Sequence, residues 1–334
     1  MKKYSIGIDL GGTRVKIGLV SEGEVVAKKI IPANADQGLA ASLPILEREI
    51  DGLLQGQDVK GRSFAGVGLA FAGLVDPRSK KILSTNKKYD DALSVDLEGW
   101  VHRRWDRPFF IDNDARMAAV GEWKYGAGRD TDDLVVMTIG TGIGTSAIIG
   151  GKLLRGRHFQ AGCLGGHMTV QYNGRVCTCG NIGCVEAYGS TWSLEETVRQ
   201  SPDYAGSLLA ATPANGATVN EVNANGGPAG GMAAIGFSGV FEAADRGDEL
   251  AARILRDCLD VWSAGIVNLI HAYDPEVVVL GGGVLNRASA ILPYITEKVT
   301  RHAWCPWGQV QIRASQLLSD AGILGVVHCL GSEI

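Results

Sequence analysis

Residues 4–20, Tyr4-Ser5-Ile6-Gly7-Ile8-Asp9-Leu10-Gly11-Gly12-Thr13-Arg14-Val15-Lys16-Ile17-Gly18-Leu19-Val20, read as a buried strand, a tight turn and a second strand. Glu22-Gly23-Glu24 then turns into a third strand, Val25 to Ile31, so the chain opens as an antiparallel meander. Gly11 and Gly12 carry no Cβ, so their backbone can approach an anion closely and offer it N–H groups. Thr13 adds a hydroxyl, Lys16 a positive charge, and Asp9 a carboxylate suited to hold Mg²⁺ through water. The same residues also fit an ordinary hairpin, since glycine is the usual turn residue.

The same grammar restarts further on. Leu134 to Ile139 reads as a strand, Gly140-Thr141-Gly142-Ile143-Gly144 as a turn, and Thr145 to Ile149 as a second strand before Gly150-Gly151. Strand, glycine turn, strand thus occurs twice, which predicts two similar lobes with a cleft between them. Two such turns in a repeated setting favour phosphate binding. Neither is a dinucleotide fingerprint, and no Gly-Lys-Ser/Thr follows anywhere, so a Walker-type site is not expected.

Between and beyond the repeats the pattern is α/β. Leu43, Leu46, Ile50 and Leu53 predict a helix to about Leu54, capped by Ser42 with Pro44 in its first turn. Ala65–Ala70 and Phe109–Ile111 read as strands, and residues 73–77 as a turn. Asp112-Asn113-Asp114 opens a helix through Trp123. These three residues are good helix caps, and an aspartate there is also placed to accept a hydroxyl proton in phosphoryl transfer; one Asp could cap while the other reacts. Helices are expected at about Ser238–Arg246 and Glu249–Ala272, a buried strand at Val277–Leu280, a last strand at Gln309–Ile312, and a final helix from about Asp320. Gly281-Gly282-Gly283 ends the buried strand; it offers either a flat backbone for an adenine or a positive-φ turn. Residues 201–236, rich in Ala, Gly, Asn and Pro, read as a long loop or poorly ordered insertion.

Composition sets the class. The chain of 334 residues is 46% apolar and 20% charged, as expected of a globular protein of about two domains. A net charge of −4 argues against a general nucleic-acid surface. No apolar run approaches the roughly 18 residues of a membrane span. The apolar stretch after Met1-Lys2-Lys3 is broken by Asp9 and Gly11-Gly12, too early for an export signal, so a cytoplasmic protein is expected.

Seven cysteines are an odd number, and three lie within Cys177-Thr178-Cys179-Gly180-Asn181-Ile182-Gly183-Cys184-Val185-Glu186. With His167 ten residues upstream, one imidazole and three thiolates make a closed tetrahedral structural zinc set. Gly180 and Gly183 allow the sharp turns this needs. Buried free thiols are the plain alternative, with Cys163 a competing ligand and His158 a loop residue. Glu186 faces a substrate in this reading.

These residues resemble the ROK family of sugar kinases, within the actin/hexokinase-like superfamily. The Cys-x-Cys-Gly-x-x-Gly-Cys-x-Glu motif at 177–186 carries the resemblance, supported by Asp-x-Gly-Gly-Thr at 9–13. It covers nearly the whole chain except 201–236. It implies two actin-like (RNase H-like) α/β lobes with ATP and sugar in a central cleft. The small lobe would be 1–112 plus 318–334, and the large lobe 113–317 with the zinc knuckle at 167–184. Asp114 would be the catalytic base. Asn113, Glu186, His167 and Gly73 would contact the sugar, with His167 also on Zn²⁺. Asp9, Gly11, Gly12, Thr13 and Lys16, with Gly140, Thr141, Gly142, Gly144 and Gly282, would hold ATP and Mg²⁺. A homodimer is implied, with no nucleic-acid or membrane partner.

Two departures from the family pattern matter. The usual Glu-x-Gly-His is Leu164-Gly165-Gly166-His167 here, which removes a carboxylate, and Cys163 aligns with that Glu only through a one-residue insertion. The usual Pro before Gly73 is Ala72. The leading expectation is an ATP-dependent kinase for glucose, a related hexose or an N-acetylhexosamine, acting at the 6-hydroxyl. Related sugar-responsive regulators carry an added N-terminal DNA-binding domain, for which a phosphate loop at residue 9 leaves no room. A non-catalytic sugar sensor is the third reading, kept open by Leu164.

Overall fold

The computed structural model describes residues 2–57, 59, 63–85, 88–210 and 235–331. The opening meander is present as β1 (Tyr4–Leu10), β2 (Arg14–Ser21) and β3 (Glu24–Pro32). In the β1–β2 hairpin Asp9 stands opposite Lys16 and Leu10 opposite Val15, which puts Gly11–Thr13 at the tip. Helix α1 (Leu39–Gly56) leads to β4 (Phe64–Phe71), and a small ribbon follows from β5 (Leu74–Asp76) and β6 (Lys81–Ser84). Helix α2 (Leu97–Trp105), strand β7 (Phe109–Asn113) and helix α3 (Asp114–Tyr125) complete the first half. The sheet order is β3-β2-β1-β4-β7, with β4 parallel to both β1 and β7.

The second half repeats this order. It contains β8 (Leu134–Ile139), β9 (Ile143–Ile149), β10 (Lys152–Leu153), α4 (Glu186–Gly189), α5 (Thr191–Arg199), α6 (Phe237–Asp245), α7 (Glu249–Tyr273), β11 (Val277–Gly281), α8 (Ala288–His302) and β12 (Gln311–Ala314). Its sheet runs β10-β9-β8-β11-β12. Each half is therefore a three-strand meander extended on its first strand by two more. The repeat legible in the glycine turns is a repeat of topology.

The final helix α9 (Ala321–Leu330) returns to the first half and packs on α3, β1 and β4. Small residues make that approach possible. A Cβ at Gly7 would lie 2.7 Å from the Ile323 carbonyl oxygen, and one at Gly325 only 1.8 Å from the Met117 carbonyl oxygen. By internal contacts the chain divides into two compact units, Met1–Val136 with Thr145–Cys163 and Ser315–Ile334, and Met137–Gly144 with Leu164–Ala314. Among the described residues no helix is long and apolar enough to cross a membrane.

Several local expectations are corrected. Helix α1 starts at Leu39, so Ser42 is not its cap; the Ser42 hydroxyl donates to the Gly38 carbonyl at 3.1 Å. The first N–H groups, of Leu39 and Ala40, donate instead to the Asp91 carboxylate at 2.5 and 2.9 Å. Pro44 consequently stands inside the helix, past its first turn. The turn expected over 73–77 holds the short strand β5, and the last strand is two residues later than its polar–apolar alternation indicated. Within 201–236, residues Tyr204–Gly206 and Leu208–Ala210 form single 3₁₀ turns. Asp248, the cap of α7, holds them by accepting from the Ser207 hydroxyl at 2.9 Å and the Leu208 N–H at 2.6 Å. The rest of that segment, 211–234, lies outside the described residues.

Candidate active site

In the first unit, the end of β7 and the start of α3 carry the Asp112-Asn113-Asp114 triplet. The cap is Asn113, not an aspartate: its Oδ1 accepts from the Arg116 N–H at 3.1 Å. Its amide nitrogen donates to the Gly73 carbonyl and to Asp114 Oδ1, both at 3.0 Å. Asp112 is fully buried and pairs with the guanidinium groups of Arg116 at 3.3 Å and Arg155 at 3.0 Å. It therefore serves as the counter-charge of a buried arginine, which also donates to the carbonyls of Phe159 and Ala161 at 2.8 and 3.2 Å.

That pairing leaves Asp114 as the carboxylate of the triplet without an ion pair among the described residues. Burial, then the neighbouring Asp9 charge, push its pKa up from 3.8 to about 6. The Ala115 N–H, which donates to Oδ1 at 2.8 Å, and the charges of Lys88 and Lys16 oppose that rise. A carboxylate tuned towards neutrality is a better proton acceptor than one at its ordinary value. Asp9 itself is paired with Lys16, Oδ2 to Nζ 2.7 Å. The Gly11 carbonyl accepts from the Tyr89 hydroxyl at 3.1 Å, so the hairpin tip is tied down from outside the hairpin. Gly73 admits no side chain, because a Cβ there would lie 2.1 Å from the Ser84 carbonyl oxygen.

In the second unit, the side-chain ligand atoms of His167, Cys177, Cys179 and Cys184 all lie within 4.8 Å of one another. Cys177 Sγ is 3.6 Å from His167 Nδ1, and Cys179 Sγ is 3.7 Å from Cys184 Sγ. A tetrahedron with Zn–S bonds of about 2.3 Å has S–S edges of roughly 3.8 Å, so the donors and spacing fit a closed zinc set. Gly183 is required by close approach as well as by its φ of 74°: a Cβ would sit 1.8 Å from the Gln171 carbonyl oxygen. The Asn181 amide supports the knuckle by donating to the His167 carbonyl at 3.2 Å and to Cys184 Sγ at 3.3 Å. Cys163 is not part of this group; its thiol faces the Arg116 guanidinium at 3.6 Å. His158 is exposed, as expected of a loop residue.

Glu186 connects the knuckle to the second glycine turn. It is only 7% exposed. Its Oε2 accepts from the Ile143 N–H at 2.8 Å, and its Oε1 from Trp192 Nε1 at 3.3 Å and the Thr178 hydroxyl at 3.4 Å. A carboxylate has about four acceptor positions, so one remains for a ligand. The turn at 140–144 is otherwise closed by Gly140 N–H to the Gly142 carbonyl at 2.9 Å, and it is anchored on α5 through the Thr191 N–H. Gly282 takes φ 93°, and a Cβ there would strike the Ile139 carbonyl oxygen at 2.0 Å. Leu164 is 41% exposed, and it places no carboxylate where the family pattern has one.

The structure thus gathers Asp9, Gly11, Gly12, Thr13, Lys16, Gly73, Asn113 and Asp114 in one unit. It gathers Gly140–Gly144, His167, the three cysteines, Glu186 and Gly282 in the other. Sequence reasoning missed Arg116 and Arg155 beside Asp112, Lys88 near Asp114, and the contact of Glu186 with the glycine turn. Only the Asp-x-x-x-Arg spacing of the first group left a trace, and that spacing alone reads as a surface pair.

Two sheets with the same meander-plus-two order, covered by helices, define an α/β protein of the actin-like two-lobe class. The ROK family model matches residues 5–331, and the chain belongs to that family. It is 30% identical to the glucokinase of Thermotoga maritima over 331 residues, 98% of each chain. The structure of a ROK family glucokinase from Streptomyces griseus in complex with glucose and AMPPNP superposes with a TM-score of 0.77 at 29% identity, over 98% of both chains. The xylose repressor of Bacillus subtilis is 25% identical, over 97% of this chain and 76% of the repressor.

Proposed function

We infer that this sugar kinase transfers the γ-phosphoryl group of ATP to the 6-hydroxyl of a hexose, glucose or a related sugar or N-acetylhexosamine, with Asp114 as the general base. The observation that carries the reading is Asp114 itself, a carboxylate at a helix start, pushed up to about 6, beside Asp9, Lys16 and a glycine turn. Asp114 takes the proton as the hydroxyl oxygen attacks phosphorus. Asn113 and Gly73, joined by their hydrogen bond, present hydroxyl-binding groups next to that base. The remaining acceptor position on Glu186 and the second ring nitrogen of His167 bind further sugar hydroxyls. The N–H groups of Gly11–Thr13 and of 140–144 take phosphate oxygens, and the backbone at Gly282 supports the adenine. Asp9 would hold Mg²⁺, which would supply charge neutralisation on the triphosphate. Zn²⁺ on His167, Cys177, Cys179 and Cys184 supplies shape, keeping Glu186 and His167 in place.

We take the lobes as 1–112 with 318–334 and 113–317, supported by one five-stranded sheet falling largely in each. A cytoplasmic homodimer completes the reading. The test is ADP release from Mg·ATP across glucose, mannose, allose, fructose, N-acetylglucosamine and N-acetylmannosamine, with the product's phosphate position read by NMR. Zinc-loaded, folded protein that turns over none of them sinks the reading, as does near wild-type turnover by Asp114→Asn. A second reading, a non-catalytic sugar sensor, is favoured only by Leu164 in place of the usual Glu; sugar binding without ATP turnover would support it.

A further inference from the structure

The proposed transfer gives no role to Lys88, a cation beside the first glycine turn. Lys88 directly precedes Tyr89, and Tyr89 is firmly held. Its ring is buried, its hydroxyl donates to the carbonyls of Gly11 at 3.1 Å and Ala33 at 3.3 Å, and its N–H donates to the Ala35 carbonyl at 3.1 Å. Its backbone is left-handed, φ 55°. A non-glycine residue in that region costs of order 1–3 kcal/mol and persists only where its surroundings enforce it. The anchor sets the Lys88 side chain against Gly12: a Cβ at Gly12 would lie 2.6 Å from Lys88 Cδ and Cε and 3.0 Å from Nζ. Lys16 is committed to Asp9 at 2.7 Å. Lys88, half-buried, has no ion-pair partner among the described residues, yet its charge acts on Asp114. An ammonium is thus held, unpaired, beside backbone N–H groups suited to an anion and within electrostatic reach of the proposed base.

We propose that Lys88 binds the phosphoryl group in transfer, the γ-phosphoryl of the nucleoside triphosphate. This rests on the kinase reading above and adds a residue to it. In the step, the sugar oxygen forms a new bond to phosphorus, and the bond from phosphorus to the β–γ bridging oxygen breaks. The diphosphate leaves with that electron pair, and the hydroxyl proton goes to Asp114. Lys88 exchanges no proton; its charge offsets the negative charge on the three non-bridging oxygens.

The test compares the full-length wild type with Lys88→Met and Lys88→Arg, using calorimetric binding of Mg·AMPPNP and Mg·ADP together with steady-state kinetics. Losing one charge-assisted contact predicts AMPPNP affinity lower by about tenfold or more, with ADP affinity unchanged because ADP lacks the contacted group. kcat should fall on the order of 10²-fold with sugar KM unchanged, and Lys88→Arg should recover part of both. Equal losses for ADP and AMPPNP would make Lys88 a prop for the turn and overturn the inference. So would unchanged AMPPNP affinity in Lys88→Met. Wild-type protein that binds neither nucleotide overturns the kinase reading and this inference together. A wild type that binds and turns over, beside an unaffected Lys88→Met, overturns this inference alone.

Discussion

Asp114→Asn should abolish turnover and at the same time stabilise the fold. In the folded chain burial and the Asp9 charge hold Asp114 at about 6, against its ordinary 3.8. A carboxyl raised in the folded state favours folding while protonated. That contribution is full below 3.8 and is lost as pH rises through about 6. At about pH 7.5 the ionised group therefore works against folding, by up to about 3 kcal/mol if the whole displacement counts. Solvent screening at a side chain that is only partly enclosed brings the expected gain from Asn to roughly 1–3 kcal/mol. Asparagine suits the site, since its Oδ1 keeps both the Ala115 N–H and the Asn113 amide as donors. Urea unfolding of wild type and variant, without Mg²⁺ and nucleotide, should show a higher midpoint for the variant near neutrality. The gap should close as pH falls from about 6 towards 4. A variant that is less stable at neutral pH, or a gap that ignores pH, would refute the account of Asp114.

Three further outcomes are expected. Asp112→Ala leaves the fully buried Arg116 without its main counter-charge and should cost about 3–5 kcal/mol by denaturant unfolding; a loss under about 1 kcal/mol would mean the Phe159 and Ala161 carbonyls suffice. Cys184→Ser should remove bound zinc, measured by elemental analysis, and lower the melting temperature, whereas Cys305→Ser, outside the cluster, should do neither. Glu186→Gln weakens the charged contact to the Ile143 N–H, worth about 1.5–3 kcal/mol, and should cut kcat/KM roughly ten- to hundredfold; an unchanged kcat/KM would detach Glu186 from the glycine turn.

How far the fold could be read from the residues depended on how local its causes are. The meander was legible because alternating apolar residues and the pairs at Gly11-Gly12 and Glu22-Gly23 determine it within a few positions. The knuckle was legible because its donors recur at metal-binding spacing. The start of α1 was not, because its cap, Asp91, lies 52 positions from Leu39 and its own first turn offers only Gly38. Helices α2, α5 and α8 also went unread. Gly99 interrupts the pattern of the first, and Pro293 that of the third. In the site, Asp114 stood out by its triplet, but the triplet could not say which residue caps. That follows from Arg116 and Arg155 claiming Asp112, a tertiary fact. Lys88 carried no signal, since its placement depends on Tyr89 reaching back to Gly11.

The return of α9 to the first sheet sets a timetable for the nascent chain. Strands β1 to β7 are all synthesised by Asn113, but the helix that covers β1 and β4 begins at Ala321, about 200 residues later. At ribosomal rates of about 5–20 residues per second, that interval lasts roughly 10–40 s. Throughout it, the sheet face around Gly7, Gly18 and Gly68 is floored with glycine and lacks the Ile323 and Val326 side chains that fill it. The emerging polypeptide thus carries an uncovered apolar surface for most of its translation. A premature stop before α9 would leave that face uncovered, and such a product is expected to aggregate with Asp114 already made.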